Sequence, residues 1–74
     1  MRLDPKVIEE AMLKTECSSA DEFGWKYIGK SGTTVRNYLS GKSIPTLRTA
    51  MVLKRITGIP LDQMVIEEAN EIAA

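Results

Sequence analysis

Glycines and prolines divide this chain into segments too short for anything larger than a short helix or strand. The dividing residues are Pro5, Gly29, Gly41, Pro45, Gly58 and Pro60. Within the segments, apolar residues recur every three or four positions, as in an amphipathic helix. Val7, Ile8 and Ala11 follow Pro5 in this way. The pattern predicts an all-α fold of five short helices with no convincing strand.

Capping residues set the expected helix boundaries. The first helix starts at Pro5, since proline suits the first helical position. Each of the next three helices starts at a Ser, Thr or Pro and stops at a glycine. Their expected bounds are Ser18 or Ser19 to near Gly29, Ser31 to Gly41, and Pro45-Thr46 to Gly58. The fifth opens at Pro60, with an apolar stripe of Leu61, Met64, Val65, Ala69 and Ile72.

The length of 74 residues allows one small domain, residues 1–74, with a small core. The chain has no histidine, which removes the usual general base and a common zinc ligand. Its one cysteine, Cys17, has no internal disulfide partner. No apolar run reaches the length of a membrane span, and the first residues lack the pattern of a signal peptide. We therefore expect a cytoplasmic binding protein that is not an enzyme and has no cofactor, metal or membrane partner.

The charges are segregated along the chain although the net charge is zero. Residues 1–22 carry three basic and six acidic side chains, and residues 62–74 carry four acidic and no basic ones. Residues 23–61 carry seven basic side chains and no acidic one. This acid-free stretch predicts an electrostatic footprint for a polyanion. The alternative is chance clustering, because folding separates residues that sequence groups together.

Residues 24–31, GWKYIGKS, match the phosphate-loop pattern G-x-x-x-x-G-K-[ST] at every fixed position. In that motif, small residues let backbone amides wrap a phosphate between a buried strand and a helix. Here three of the four variable positions hold the bulky Trp25, Tyr27 and Ile28, and no strand is predicted before them. No apolar strand ending in an aspartate is present to help hold magnesium. We interpret the match as coincidence.

The remaining pattern is a short helix, a tight glycine turn and a second short helix that starts with small polar residues. This is typical of a helix-turn-helix. Residues 31–46, SGTTVRNYLSGKSIPT, resemble the helix-turn-helix of the Cro/C1 family of phage and bacterial repressors, with Tyr38, Gly41 and Pro45 at the family's spacing. The resemblance covers about residues 19–65, with the helix-turn-helix at about 19–41. The whole chain also resembles the modulator-of-repression proteins of lactococcal temperate phages.

The resemblance implies a transcriptional regulator of a phage lysis–lysogeny switch, acting in the cytoplasm of the host bacterium. Its implied partners are double-stranded DNA, a second copy of the chain, and a phage repressor protein. Val35 and Tyr38 occupy core positions of the family. Of the implied DNA-binding residues, Gly32, Thr33, Arg36 and Asn37 face the groove, whereas Lys30, Ser31, Thr34, Lys42 and Ser43 hold phosphates.

Three departures from the family pattern affect the implied DNA contact. Gly32 stands where a base-reading side chain is usual, and Lys30 stands where a small apolar turn residue is common. Gly24 or Trp25 occupies the place of a small alanine, with the register shifted by one residue. These departures predict a turn one residue longer and a tilted recognition helix. Together with the zero net charge, they predict weak or partner-dependent DNA binding.

A second class of function is an antirepressor that binds a repressor's DNA-binding domain and has little DNA binding of its own. Leu39 is expected to be exposed, since the family position is usually polar. Next to Tyr38 and Trp25 it would form a protein-binding patch. The acidic tail with Glu67, Glu68 and Glu71 either mimics phosphates, meets a basic partner, or is a solubilising helix end.

Overall fold

Four α-helices and a two-stranded sheet make up residues 1–67, which are the residues that the computed structural model describes. Most of these residues are helical. In chain order the elements are β1 (Arg2–Leu3), α1 (Pro5–Thr15), α2 (Ala20–Phe23), α3 (Gly32–Ser40), α4 (Leu47–Thr57) and β2 (Val65–Ile66). None of the helices within residues 1–67 is long and apolar enough to cross a lipid bilayer.

A polar side chain caps the N-terminus of every α-helix. The side chains of Asp4, Ser19, Ser31 and Thr46 each accept a hydrogen bond from a backbone N–H in the first turn, at 3.0 to 3.4 Å. Each cap of this kind stabilises a helix by about 1 kcal/mol. The predicted starts of the first four helices are therefore confirmed.

Glycines end the predicted second, third and fourth helices, as expected. Gly29, Gly41 and Gly58 have φ values of 65°, 83° and 76°. The sequence has no glycine to end α1, whose last residue is Thr15, and the next residue, Glu16, has a φ of 56°. Glu16 is the one non-glycine residue with positive φ among residues 1–67.

The prediction of a fifth helix after Pro60 is wrong for the residues that the structure describes. Pro60 is followed by a single 3-10 turn, Leu61–Gln63, and then by strand β2. β2 pairs antiparallel with β1, with Arg2 opposite Ile66 and Leu3 opposite Val65. The backbone N–H of Asp4 also donates to the carbonyl of Met64 at 2.7 Å. This pairing with the start of the chain replaces helical hydrogen bonding. Ala69 and Ile72 of the predicted stripe lie outside the described residues.

The core is one cluster to which all four α-helices and both ends of the described chain contribute. Leu3 from β1 and Met64 beside β2 are buried with the side chains of the helices. The sheet therefore closes one side of the helical core. The buried apolar residues are Leu3, Val7, Ile8, Ala11, Phe23, Val35, Tyr38, Leu53 and Met64.

Helix α2 continues into a π-helical turn, Gly24–Ile28, before the chain reaches α3. The Gly24 carbonyl accepts a hydrogen bond from the Gly29 N–H and another from the Lys30 N–H at 3.0 Å. A π-helical turn takes one residue more than an α-helical turn. The segment Gly24–Ile28 therefore holds one residue more than an α-helical turn would. The segment that matches the phosphate-loop pattern is thus helical from Gly24 to Ile28.

Two buried glycines allow this segment to approach α3 closely. A Cβ on Gly24 would overlap the Lys30 carbonyl oxygen and lie 3.0 Å from Val35 Cγ2. A Cβ on Gly32, the first residue of α3, would overlap the Asp21 carboxylate and lie 3.0 Å from the Asp21 Cα. The absence of a side chain at both positions sets the distance between the two helices.

We expect Gly24→Ala to destabilise the protein by about 1–3 kcal/mol, because the added methyl group meets backbone that must move. Helix propensity alone predicts the opposite, a gain of about 1 kcal/mol. The free energy of unfolding in urea, followed by circular dichroism, distinguishes the two. Trp25→Ala is the control, since Trp25 is exposed and its loss should change stability by less than about 0.5 kcal/mol. A stabilised Gly24→Ala variant would contradict the packing argument.

Candidate functional site

Eight of the nine predicted DNA-binding residues reach the surface around α3. The exposed ones are Lys30, Ser31, Thr33, Arg36 and Lys42, and the half-buried ones are Thr34, Asn37 and Ser43. They occupy three consecutive parts of the chain, which are the turn before α3, the outer side of α3, and the loop after it. The inner side of α3 carries the buried Val35 and Tyr38, as expected.

Gly32 is the exception, because it is buried beneath Asp21 of α2. The expectation that Gly32 faces a groove is wrong. Its position is a packing position, where α2 passes too close for any side chain. Thr33 is therefore the first residue of α3 that is exposed to solvent.

Hydroxyl groups order the N-terminus of α3. Ser31 Oγ accepts a hydrogen bond from the Thr34 N–H at 3.2 Å and lies 3.1 Å from Thr34 Oγ1. The two hydroxyls thus bond to each other and to the helix end. The first turn of a helix presents N–H groups and a partial positive charge, and exposed Lys30 stands directly before it. This end of α3 suits a negatively charged group.

Arg36 is held beside α2 by an ion pair that sequence reasoning missed. Its Nη2 lies 3.6 Å from Asp21 Oδ1, with both side chains more than half exposed. An exposed pair of this kind contributes less than about 1 kcal/mol, so it orients the guanidinium without immobilising it. Asp21 lies in the first turn of α2. The sequence does not predict this ion pair, because Asp21 and Arg36 lie on different helices and approach each other only when the turn between the helices has formed.

The loop after α3 is fixed to the last turn of that helix. The Asn37 carbonyl accepts hydrogen bonds from the Lys42 N–H at 3.0 Å, the Ser43 N–H at 3.4 Å and Ser40 Oγ at 3.3 Å. The Asn37 carbonyl also accepts a hydrogen bond from the N–H of Gly41 at the end of the helix. These hydrogen bonds hold the backbone of Lys42 and Ser43 against the end of α3.

The seven basic residues of the acid-free stretch do not all share one environment. Lys26 pairs with Glu22 at 3.3 Å, and Arg36 pairs with Asp21. Lys30 and Lys42 flank α3 and have no ion pair within residues 1–67. The remaining three, Arg48, Lys54 and Arg55, are exposed on α4. The charge of +7 is therefore divided between the surroundings of α3 and those of α4.

Glu22 supports the start of α2. Its carboxylate accepts a hydrogen bond from the Ser18 N–H at 3.0 Å and pairs with Lys26. The Ser18 hydrogen bond, followed by the hydrogen bond and charge of Lys26, lowers the pKa of Glu22 below its ordinary value. The charged carboxylate is therefore part of the folded arrangement of α2.

Only part of the predicted protein-binding patch exists at the surface. Trp25 is 68% exposed, but Tyr38 is only 4% exposed and Leu39 is half-buried against the core. Burial raises the pKa of the Tyr38 hydroxyl. The expectation that Leu39 is exposed is wrong, as is the placing of Tyr38 on the patch. Both residues face inward because α3 packs on the core through this side.

No family model, curated protein or solved structure matches this chain.

We expect Glu22→Gln to lower stability at about pH 7, because the folded state favours the charged carboxylate. A lowered pKa contributes stability above the ordinary value, and that contribution is lost as pH falls through the lowered value. The difference between the variant and the original protein should therefore be smaller at about pH 3, below the ordinary glutamate pKa, than at about pH 7. Urea unfolding at both pH values measures it.

Glu9→Gln is the control, because Glu9 is exposed and has no ion pair within residues 1–67. A Glu22→Gln deficit of equal size at both pH values would show that the charge of Glu22 has no part in stability.

Proposed function

We propose that this protein is a phage transcriptional regulator that binds double-stranded DNA, with α2 and α3 acting as a helix-turn-helix. The observation that carries the proposal is the outer side of α3. It exposes Arg36 between a cation-flanked N-terminus and a fixed basic loop, and it holds no acidic residue. The assignment to a lysis–lysogeny switch in the host cytoplasm comes from the resemblance to Cro/C1-type repressors.

The packing of α3 supports its role as a recognition helix. Val35 and Tyr38 anchor the inner side of α3 in the core. Residues three and four positions apart share a helix face, so Thr33, Arg36 and Asn37 lie together on the outer side. An α-helix fits the major groove of B-DNA, and this face would lie against the base edges.

Arg36 and Asn37 are the proposed base readers. Arginine donates two hydrogen bonds to guanine, and asparagine makes a two-pronged contact to adenine, each worth about 1–3 kcal/mol of discrimination. Arg36 would exchange its weak contact with Asp21 for guanine. Asp21 thus holds the guanidinium beside α3 before DNA arrives.

Lys30, the N-terminus of α3, Lys42 and Ser43 are the proposed phosphate contacts. Such contacts set the register of a protein on DNA and carry no sequence information. A dimer would place two copies of α3 in successive turns of the major groove. The few cations around α3 and the zero net charge favour weak binding by a single copy.

We expect the double variant Arg36→Ala and Asn37→Ala to bind a duplex flanking the protein's own gene at least about tenfold more weakly. Fluorescence anisotropy at about 50 and 200 mM salt measures the affinity and its salt dependence. Affinity should fall steeply with salt, because phosphate contacts release counterions.

Arg55→Ala is the matched control, because it removes one exposed arginine from α4 rather than from α3. Equal losses of DNA affinity in the two variants would contradict the proposed DNA contact. Absence of DNA binding by the folded protein at the lower salt concentration would contradict it as well.

An antirepressor is a second candidate, favoured by the exposure of Trp25. A tryptophan that is 68% exposed is unusual in so small a protein, and tryptophan is enriched among residues that dominate protein interfaces. With Tyr38 and Leu39 turned inward, Trp25 is the residue on which this function would depend. Its partner would be the DNA-binding domain of a phage repressor.

Under this second proposal, Trp25→Ser should weaken binding to the purified repressor domain by at least about tenfold. Calorimetry measures that affinity directly. The double variant Arg36→Ala and Asn37→Ala serves as the comparison and should bind the repressor domain as tightly as the original protein. Undiminished binding by folded Trp25→Ser would remove the antirepressor from consideration.

A further inference from the structure

An apolar groove lies between the start of α4 and the sheet and begins at Ile44, the residue after the proposed DNA contact Ser43. Its volume is about 260 Å³. None of the residues that line it belongs to the set proposed to contact DNA. Its walls include Ile44 and Pro45 before α4, Leu47 at its start, and Leu61, Met64 and Val65 near β2.

Two large apolar side chains stand exposed at the edge of this groove. Leu47 is 71% exposed and Ile44 is 41% exposed. Leu47 is the first residue of α4, directly after its capping Thr46. An isolated exposed leucine is ordinary, but two beside an apolar hollow mark a surface that a partner would cover.

A second hollow extends the groove along α4 and is rimmed by guanidinium groups. It shares Leu47 with the first, and its other lining residues are Arg48, Met51, Val52 and Arg55. Arg48 and Arg55 are exposed and form no ion pair within residues 1–67. Because residues 23–61 hold no carboxylate, nothing on α4 balances these charges. Asp62, next to Leu61, is the acid that follows this stretch in sequence.

We propose that this α4 groove binds an acidic amphipathic helix of another protein. Leucine or aromatic side chains of that helix would fill the apolar groove, and its flanking Asp or Glu residues would meet Arg48 and Arg55. Binding of an amphipathic helix in a groove is a common mode of peptide recognition. The proposal is independent of the DNA-binding function and adds a protein partner to it.

Charge decides between this occupant and a second copy of the chain. Packing α4 against α4 of another copy would bring together Arg48, Lys54 and Arg55 from both sides, with no acid on either helix. Like charges placed together at an interface are unfavourable.

The test uses two synthetic fluorescent peptides of the same helical design, with leucines on one face. One peptide has glutamates flanking the leucines, and the other has lysines in their place. We expect the acidic peptide to bind more tightly, with an affinity that falls as salt increases. Leu47→Asp should weaken that binding by about tenfold or more, the effect of losing a central interface side chain.

Leu13→Asp is the matched control, since Leu13 is equally exposed, at 73%, but lies on α1 and does not line the groove. Both changes replace an exposed leucine, so neither should prevent folding. The double variant Arg48→Ala and Arg55→Ala should weaken binding of the acidic peptide and reduce the salt dependence of that binding. The Arg36→Ala, Asn37→Ala variant should bind the peptide normally, which separates this surface from DNA binding.

Several results would overturn the proposal. They are equal binding of the two peptides, equal loss in the Leu13 and Leu47 variants, or no binding of either peptide. A dimer in sedimentation velocity that Leu47→Asp dissociates would assign the groove to a second copy. Peptide binding only after truncation following Glu67 would assign it to the chain's own C-terminal residues. Binding of anionic vesicles that Leu47→Asp abolishes, without peptide binding, would assign it to a membrane.

Discussion

The structure depends on the close approach of α2 to the turn and helix that follow it. At Gly24 and Gly32 the neighbouring atoms leave no room for a Cβ, because the Lys30 carbonyl lies against Gly24 and the Asp21 carboxylate lies against Gly32. This contact sets the angle at which α3 leaves the core, and with it the direction of every residue on its outer side. Interiors transmit such small displacements because they are close-packed. A methyl group at either glycine would therefore alter the proposed recognition surface as well as stability.

The same contact explains how charges from distant parts of the sequence meet. Asp21 lies above Gly32, and its carboxylate reaches Arg36 one turn further along α3. The acid-free stretch is thus not free of acids in three dimensions, because α2 brings two carboxylates to its edge. The unbalanced cations that remain fall into two groups, beside α3 and on α4. Two separate groups of cations are more consistent with two binding surfaces than with one continuous surface for a polyanion.

Local signals predicted most of the helices, and non-local contacts account for the failures. Helix starts at Ser19, Ser31 and Thr46 were predictable because a cap acts within three residues. The fifth helix failed because Val65 and Ile66 pair with residues at the other end of the chain, which periodicity does not reveal. The exposure of Leu39 was misjudged for a similar reason. An amphipathic pattern shows which side of a helix is buried, but the width of that side depends on the packing partners. Leu39 lies at the edge of the buried side of α3.

The pairing of β1 with β2 also governs when the domain can form during synthesis. Arg2 and its partner Ile66 lie at opposite ends of the described residues. Joining such distant residues carries the entropy cost of closing a long loop, and contacts of this kind slow folding. On the ribosome, Leu3 cannot be enclosed until Met64 has emerged from the exit tunnel. The helices alone therefore leave the core incomplete on the side that the sheet covers.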